Sequence, residues 1–293
     1  GKRLGAAEMS AVYKALASLG YVGSTISPDQ GGAGMSYVDY GLLLAALARG
    51  PVLLGEVVPP RTISIFGSAE QKRRWLPKLL SGDWISPAAI TEPQAGSDVR
   101  NLQTTALPKG DQLVVNGRKK WIKLGSIVDL MTVLVVTDPA KGAKGGTTRI
   151  IVERARAPWK AVDIDTVGIR NLPLSEVWFE DYPIPRDNVL GEPGGGTEAF
   201  YRGVEASRAF VGMQSVGIAQ DALDRALKYV RERVAFGRPI GKFQLIQGAL
   251  ADAAAELDAA RLLCLRALAI MDTGQRCPRE ASMAKVYATE AAV

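Results

Sequence analysis

The texture of this sequence changes twice along the chain, and that order limits the folds open to it. From Ile246 the apolar residues Leu250, Ala253, Leu257, Ala260, Cys264, Ala267 and Met271 recur at spacings of three and four, with Asp252, Glu256, Arg261 and Arg266 between them. Such a stripe predicts a long amphipathic helix. Residues 198–235 predict an earlier helix of similar length, and two such helices predict a bundle whose stripes need partners. Between Trp84 and Leu190 the pattern is different. Leu130 to Thr137, Thr148 to Glu153 and Glu176 to Phe179 are β-branched or aromatic runs bounded by turn residues and prolines, which predicts short strands. Ahead of them, Ala11 to Ser18, Tyr37 to Ala48 and Glu70 to Leu80 read as helices, with a Gly-rich loop from Pro28 to Gly34. A β zone between two helical zones is α+β rather than a doubly wound sheet. The expected division is an N-terminal helical domain over 1–85, a central β domain over 86–190 and a C-terminal helical bundle over 191–293.

Within the β zone, Gln112 to Val115 runs into Asn116-Gly117 and then Arg118 to Ile122. Asn-Gly between two such runs predicts a hairpin turn at Asn116-Gly117.

Composition removes several kinds of chemistry. The 293 residues include no histidine, so Ser-His-Asp triads and most zinc sites are excluded. The only cysteines are Cys264 and Cys277, too few for a disulfide scaffold, and a reducing, cytoplasmic location is expected. The formal charge of +6 is spread among acidic residues rather than blocked, so nucleic acid is not an expected partner. The longest apolar stretch, Gly41 to Gly55, is broken by Arg49 and is too short to span a bilayer. No leader pattern opens the chain, and both ends cut into helical patterns, so further residues are expected beyond each. Lys72-Arg73-Arg74 reads as a solvated helix face. Gly194-Gly195-Gly196 reads as a connector, since no Lys-Ser/Thr follows it as in a phosphate loop.

The stretch Ala89-Ile90-Thr91-Glu92-Pro93-Gln94-Ala95-Gly96-Ser97-Asp98 is the most informative. A strand end passes into a polar loop. Thr91 and Ser97 offer hydroxyls, and the backbone around Gly96 offers N–H groups. On residue chemistry alone a surface turn is the more ready reading. The stretch, however, resembles the first signature of the acyl-CoA dehydrogenases, and the same family pattern continues in order. It includes Trp121-Ile122, Val177 to Asp181, Ile184-Pro185, Asn188 to Gly191, Arg208, Gly217, Arg233, Phe236-Gly237, Phe243-Gln244 and Ala281 to Lys285. No single motif decides the matter, but the ordered set spans almost the whole chain.

The resemblance implies a three-part α/β/α fold and FAD-dependent α,β-dehydrogenation of an acyl-CoA, with electrons passing to an electron-transfer flavoprotein and a homotetramer or heterotetramer as the assembly. Carried onto this chain, it places Thr91, the backbone at Ile90, Gly96, Ile122 and Lys123 at the flavin, with Trp121 against its ring. Ser97 would meet a phosphate or the CoA arm. Arg233 would reach the pyrophosphate of FAD on a neighbouring subunit, with Phe236 and Gln244 at its adenosine. Glu205, Ser207 and Arg208 would look onto the acyl-CoA. Two departures stand out. Lys123 occupies a position where family members carry a threonine. Ser207 occupies one of the two places where the family puts its catalytic carboxylate, and an unassisted serine is no base at neutral pH. The base is therefore expected beyond Val293. A non-catalytic partner subunit, or a same-fold flavin oxidase or monooxygenase, remains compatible with these residues. Trp121 as an ordinary core residue, and Arg233 as part of a solvated charge run, are the bland alternatives at those positions.

Overall fold

The computed structural model describes residues 3–50, 54–143 and 145–293. It contains α1 (Ala6–Ala17), α2 (Tyr37–Ala48), α3 (Val58–Phe66), α4 (Ala69–Leu80), β1 (Ala88–Ala89), β2 (Thr105–Lys109), β3 (Gln112–Lys123), β4 (Leu130–Val136), β5 (Thr147–Glu153), β6 (Lys160–Ile164), β7 (Leu174–Pro185) and β8 (Val189–Leu190). There follow α5 (Gly196–Glu232), the paired strands β9 (Val234–Ala235) and β10 (Arg238–Pro239), α6 (Gln244–Asp272) and α7 (Pro278–Ala291). Helices flank a β region, as the texture of the sequence predicts. The chain forms two compact units. One comprises Gly1–Gly34 with Val57–Arg202, and the other comprises Met35–Glu56 with Gly203–Val293. Packing therefore groups α2 with the late helices, although it lies within the first sequence zone.

In the first unit eight strands form one sheet, ordered β6-β7-β3-β2-β4-β5-β8, with β1 pairing β4 in parallel. β5 is buried at every position and β4 at all but its last, because both faces are covered. α4 supplies one cover. Its N-terminus is closed by a reciprocal capping box between Ser68 and Gln71. Its apolar face (Trp75, Leu76, Leu79) packs on Leu130, Ile151 and Leu190. The same Gln71 side chain donates to the carbonyls of Asp187 and Val189, both at 2.7 Å. α3 is not among the helices that the sequence predicts. Pro59 and Pro60 stand in its first turn, where a missing N–H costs nothing.

The Asn116-Gly117 hairpin is corrected by the structure. β3 runs straight through this dipeptide, and the turn lies at Gly110-Asp111, between the paired residues Lys109 and Gln112. Gly110 takes φ 65°, which suits a two-residue turn. Asn116-Gly117 instead faces a β-bulge. Val115 pairs with Tyr182 and Gly117 with Phe179, so the extra residue is on β7. Asn116 fills that gap, donating to the Asp181 carboxylate at 3.2 Å and accepting from the Asp181 N–H at 2.8 Å. A side chain at Gly117 would meet Thr104 within 2.7 Å, so glycine is demanded by close approach rather than by a turn.

In the second unit α2, α5 from Gly203, α6 and α7 share a core of Leu44, Phe210, Met213, Cys264, Ala267, Leu268 and Ala284. Small residues set the helix spacing, and a Cβ at Gly217 would lie 2.1 Å from the Ala45 carbonyl. The α2 N-terminus is held by Asp272, which accepts from the N–H groups of Tyr37 and Val38 at 2.6 and 3.1 Å. Of the predicted α6 stripe, Leu257, Ala260, Cys264, Ala267 and Met271 are buried, whereas Leu250 is half-buried and Ala253 exposed. No helix among the described residues is long and apolar enough to cross a membrane.

Candidate functional site

The first unit brings the loop signature and the tryptophan together. Between Lys119 and Ile122, β3 carries one residue more than β7 opposite: Lys119 pairs with Val177 and Ile122 with Ser175. This second bulge frees β3 from β7 for one step. The Lys120 N–H turns to the Thr91 carbonyl at 2.8 Å. Thr91 is thereby tied to the residue next to Trp121. The Trp121 backbone has φ 62°, an outlier for a bulky residue and of the kind held in place where function uses it. The residue is 51% exposed, whereas neighbouring Ile122 is buried and Lys123 half-buried. An ordinary core residue would be covered. Gly96 and Ser97 are exposed, Ile90 and Thr91 are half-buried, and a side chain at Gly96 would meet nothing within 4 Å. The result is an open loop beside a half-exposed aromatic ring, over which the Lys120 Nζ lies 5.0 Å from the centroid.

Beneath that loop lies a feature that sequence reading missed. Lys119 is fully buried, and its Nζ donates to the Ile90 carbonyl at 2.9 Å and to Glu92 Oε1 at 2.7 Å. Glu92, also buried, accepts further from Gln103 N–H at 2.7 Å, Thr104 N–H at 3.0 Å and Gln94 Nε2 at 2.6 Å. Burial alone would raise the Glu92 pKa. The Lys119 charge and the converging donors outweigh it and hold the carboxyl below its ordinary range. Burial pulls Lys119 down to about 8, against the pull of Glu92. Both groups are charged at neutral pH. The pair clamps the segment on either side of Thr91. Strand alternation hid it, because Lys119 sits in a Lys-Lys run that reads as solvated.

In the second unit Glu205 is buried and committed to structure. Its carboxylate accepts from Arg276 Nε at 2.6 Å and from the Cys277 N–H at the start of α7. Ser207 donates to the Glu56 carboxylate, and Arg208 reaches Ser282 Oγ at 3.4 Å. Glu205 and Arg208 do fall three apart on α5, where Glu205 is buried and Arg208 is half-buried with no carboxylate partner among the described residues. Arg233, Phe236 and Gln244 cluster around the β9–β10 hairpin, all exposed. Phe236 and Gly237 take φ 50° and 75° at its two-residue turn, and Phe236 is 95% exposed while its ring meets Phe243 edge-on. Both cysteines are free and buried, with burial pushing Cys264 up to about 12 and Cys277 up to about 11. Neither is a nucleophile at neutral pH. No group of three or more His, Cys, Asp or Glu among the described residues could hold a metal ion.

Comparison with known proteins gives three consecutive family matches. The acyl-CoA dehydrogenase N-terminal domain matches residues 4–83, the middle domain 88–182 and the C-terminal domain 194–293. A curated relative, cyclohex-1-ene-1-carbonyl-CoA dehydrogenase of Syntrophus aciditrophicus (strain SB), is 36% identical over 284 residues, covering 94% of this chain and 69% of its own. Among solved structures, butyryl-CoA dehydrogenase from Megasphaera elsdenii superposes with a TM-score of 0.91 at 31% identity, covering 96% of this chain and 76% of that one. The FAD complex of PigA superposes with a TM-score of 0.91 at 28% identity, covering 97% and 76%.

Proposed function

We propose that this chain, which belongs to the acyl-CoA dehydrogenase family of flavoprotein oxidoreductases, binds FAD and introduces an α,β double bond into an acyl-CoA thioester. The observation that carries this reading is the hydrogen bond from the Lys120 N–H to the Thr91 carbonyl, which sets the loop signature beside the half-exposed Trp121 ring. Those residues fit a flat, polar-edged cofactor. Trp121 offers an aromatic face, and Thr91, Ser97 and the backbone at Ile90 and Gly96 offer hydrogen-bonding groups. Ile122 and Lys123 continue the same edge. When bound, FAD supplies the hydride acceptor for the β-hydrogen. The protein's part is to hold the ring, orient the acyl group and keep water out. Arg233 supplies a guanidinium fork for phosphate oxygens, with Phe236 and Gln244 beside it as the contacts for adenosine. Arg208 is assigned to the acyl-CoA, and so is the face of α5 that carries Glu205 and Ser207. The α-proton acceptor is a carboxylate other than Glu205, whose oxygens already hold α7.

The three separate family matches support domains over 1–85, 86–190 and 191–293. A homotetramer or heterotetramer is supported by apolar side chains left open on the late helices, such as Leu245 and Leu262. Electrons leave to an electron-transfer flavoprotein. Two unpaired cysteines support a reducing, cytoplasmic setting. A second reading, a non-catalytic partner in a mixed assembly, is favoured by Ser207 standing at a base position and by Lys123 standing where the family has threonine.

The test is optical. The purified protein should be yellow, or become so with added FAD, and an acyl-CoA panel should bleach it anaerobically. A chain that stays colourless with FAD overturns the cofactor assignment. One that binds FAD but is never bleached supports the partner-subunit reading. Fast reoxidation by air would point to an oxidase.

A further inference from the structure

Strand β5 carries a charge that its surroundings do not answer. Its third residue, Arg149, lies in a strand buried at every position and is itself only 8% exposed. Among the described residues its guanidinium has no hydrogen bond and no ion pair; its neighbours are the Phe66 ring at 5.8 Å and the like charge of Arg61. Burial, and after it Arg61, hold its pKa down to about 10. A buried cation without a counter-ion is costly, so its retention calls for a use.

Arg149 lines a cavity of about 230 Å³ together with Phe66, Leu190, Gly191 and Ala199. That is below the roughly 300–1,000 Å³ of drug-sized sites. Gly195 and Gly196, where the 37-residue α5 begins, line it as well, so the positive end of a long helix faces the same space. Gly191 takes φ 75°, a left-handed conformation that favours glycine, and a Cβ there would only touch Phe66. Two carboxylates are present at the cavity. Glu198 is engaged by Arg202 at 2.9 Å, Glu192 is exposed, and neither is within ion-pair reach of Arg149. One planar guanidinium fork matches a carboxylate in two-point fashion. Apolar walls suit a hydrocarbon body, and nearby acidic groups disfavour a phosphate dianion.

The geometry points to a binding site for a small carboxylate with an apolar body, its head group on Arg149 and the start of α5, its body against Phe66, Leu190 and Ala199. The site uses none of the residues assigned above to flavin or thioester, and its test is separable from theirs.

Thermal unfolding of the FAD-loaded protein would be followed with benzoate as probe, and with benzyl alcohol and inorganic phosphate as controls at matched ionic strength. Benzoate should raise the melting temperature in a saturable way while the controls do not, and the flavin absorbance should stay unchanged. Arg149→Met should melt no lower than the parent without ligand, since it removes an unanswered buried charge, and should weaken benzoate binding roughly 10- to 100-fold. Arg149→Lys keeps the charge without the fork and should also weaken it, which secures the test if the methionine variant fails to fold. No saturable shift, an equal shift in the variants, or a shift produced by phosphate instead would overturn the assignment.

Discussion

The shelf around Thr91 and the hairpin around Phe236 are built on opposite plans. At the shelf, everything that fixes the geometry is internal. Lys119 and Glu92 are buried, joined at 2.7 Å and surrounded by backbone partners. A bulge in β3 then delivers Trp121 to the surface in a strained conformation. At the hairpin, Arg233 and Phe236 lie open to solvent, and the turn itself is ordinary two-residue geometry. A buried ion pair is a poor source of net stability but a strong enforcer of position once made, because either partner alone is an uncompensated charge. An exposed aromatic contributes little to folding, so its value comes from whatever covers it. The first region is complete within one chain. In the proposed function the second acts only together with a ligand or another subunit.

That contrast can be broken at three points. The largest effect is expected from Lys119→Met, which strands the Glu92 carboxylate. Chemical denaturation should show a loss of about 3–5 kcal/mol, and much of it should return in the double variant Lys119→Met/Glu92→Met, which removes both charges. A small loss in the single variant would mean that the pair does not clamp the Thr91 segment. Next, Trp121→Ala should leave folding stability nearly intact, since half the residue is exposed, yet weaken FAD binding about tenfold in a titration. Equal losses in stability and binding would make Trp121 a packing residue. The smallest folding effect belongs to Phe236→Ala, expected within about 0.5 kcal/mol. Light scattering and flavin content should nevertheless reveal weaker assembly or faster FAD loss, and unchanged values in both would leave the hairpin without its proposed role.

The main architecture was legible before any coordinates. Tyr37–Ala48 showed itself as an apolar run and Glu70 to Leu80 as an amphipathic one ended by a turn, and β4 and β5 showed themselves as β-branched runs bounded by turn residues. Failures came where one local signal has two meanings. Asn116-Gly117 can serve a turn or sit opposite a bulge, and the choice fell to Asp181, 65 residues away. At the candidate site, the ordered motifs put forward Thr91, Trp121, Glu205 and Arg208 only through resemblance to a family. They could not reveal that Glu205 is spent on Arg276 and Cys277, a partnership across 71 and 72 residues.

By itself, then, the sequence determined the order of helix and strand and the chemistry on offer, because periodicity and side-chain inventory are local properties. Only the tertiary structure decided which charges would be answered and which would not. Lys119 found a carboxylate and, among the described residues, Arg149 did not. Whether a buried charge has a counter-ion depends on residues brought near by folding, and no window along the chain contains that information.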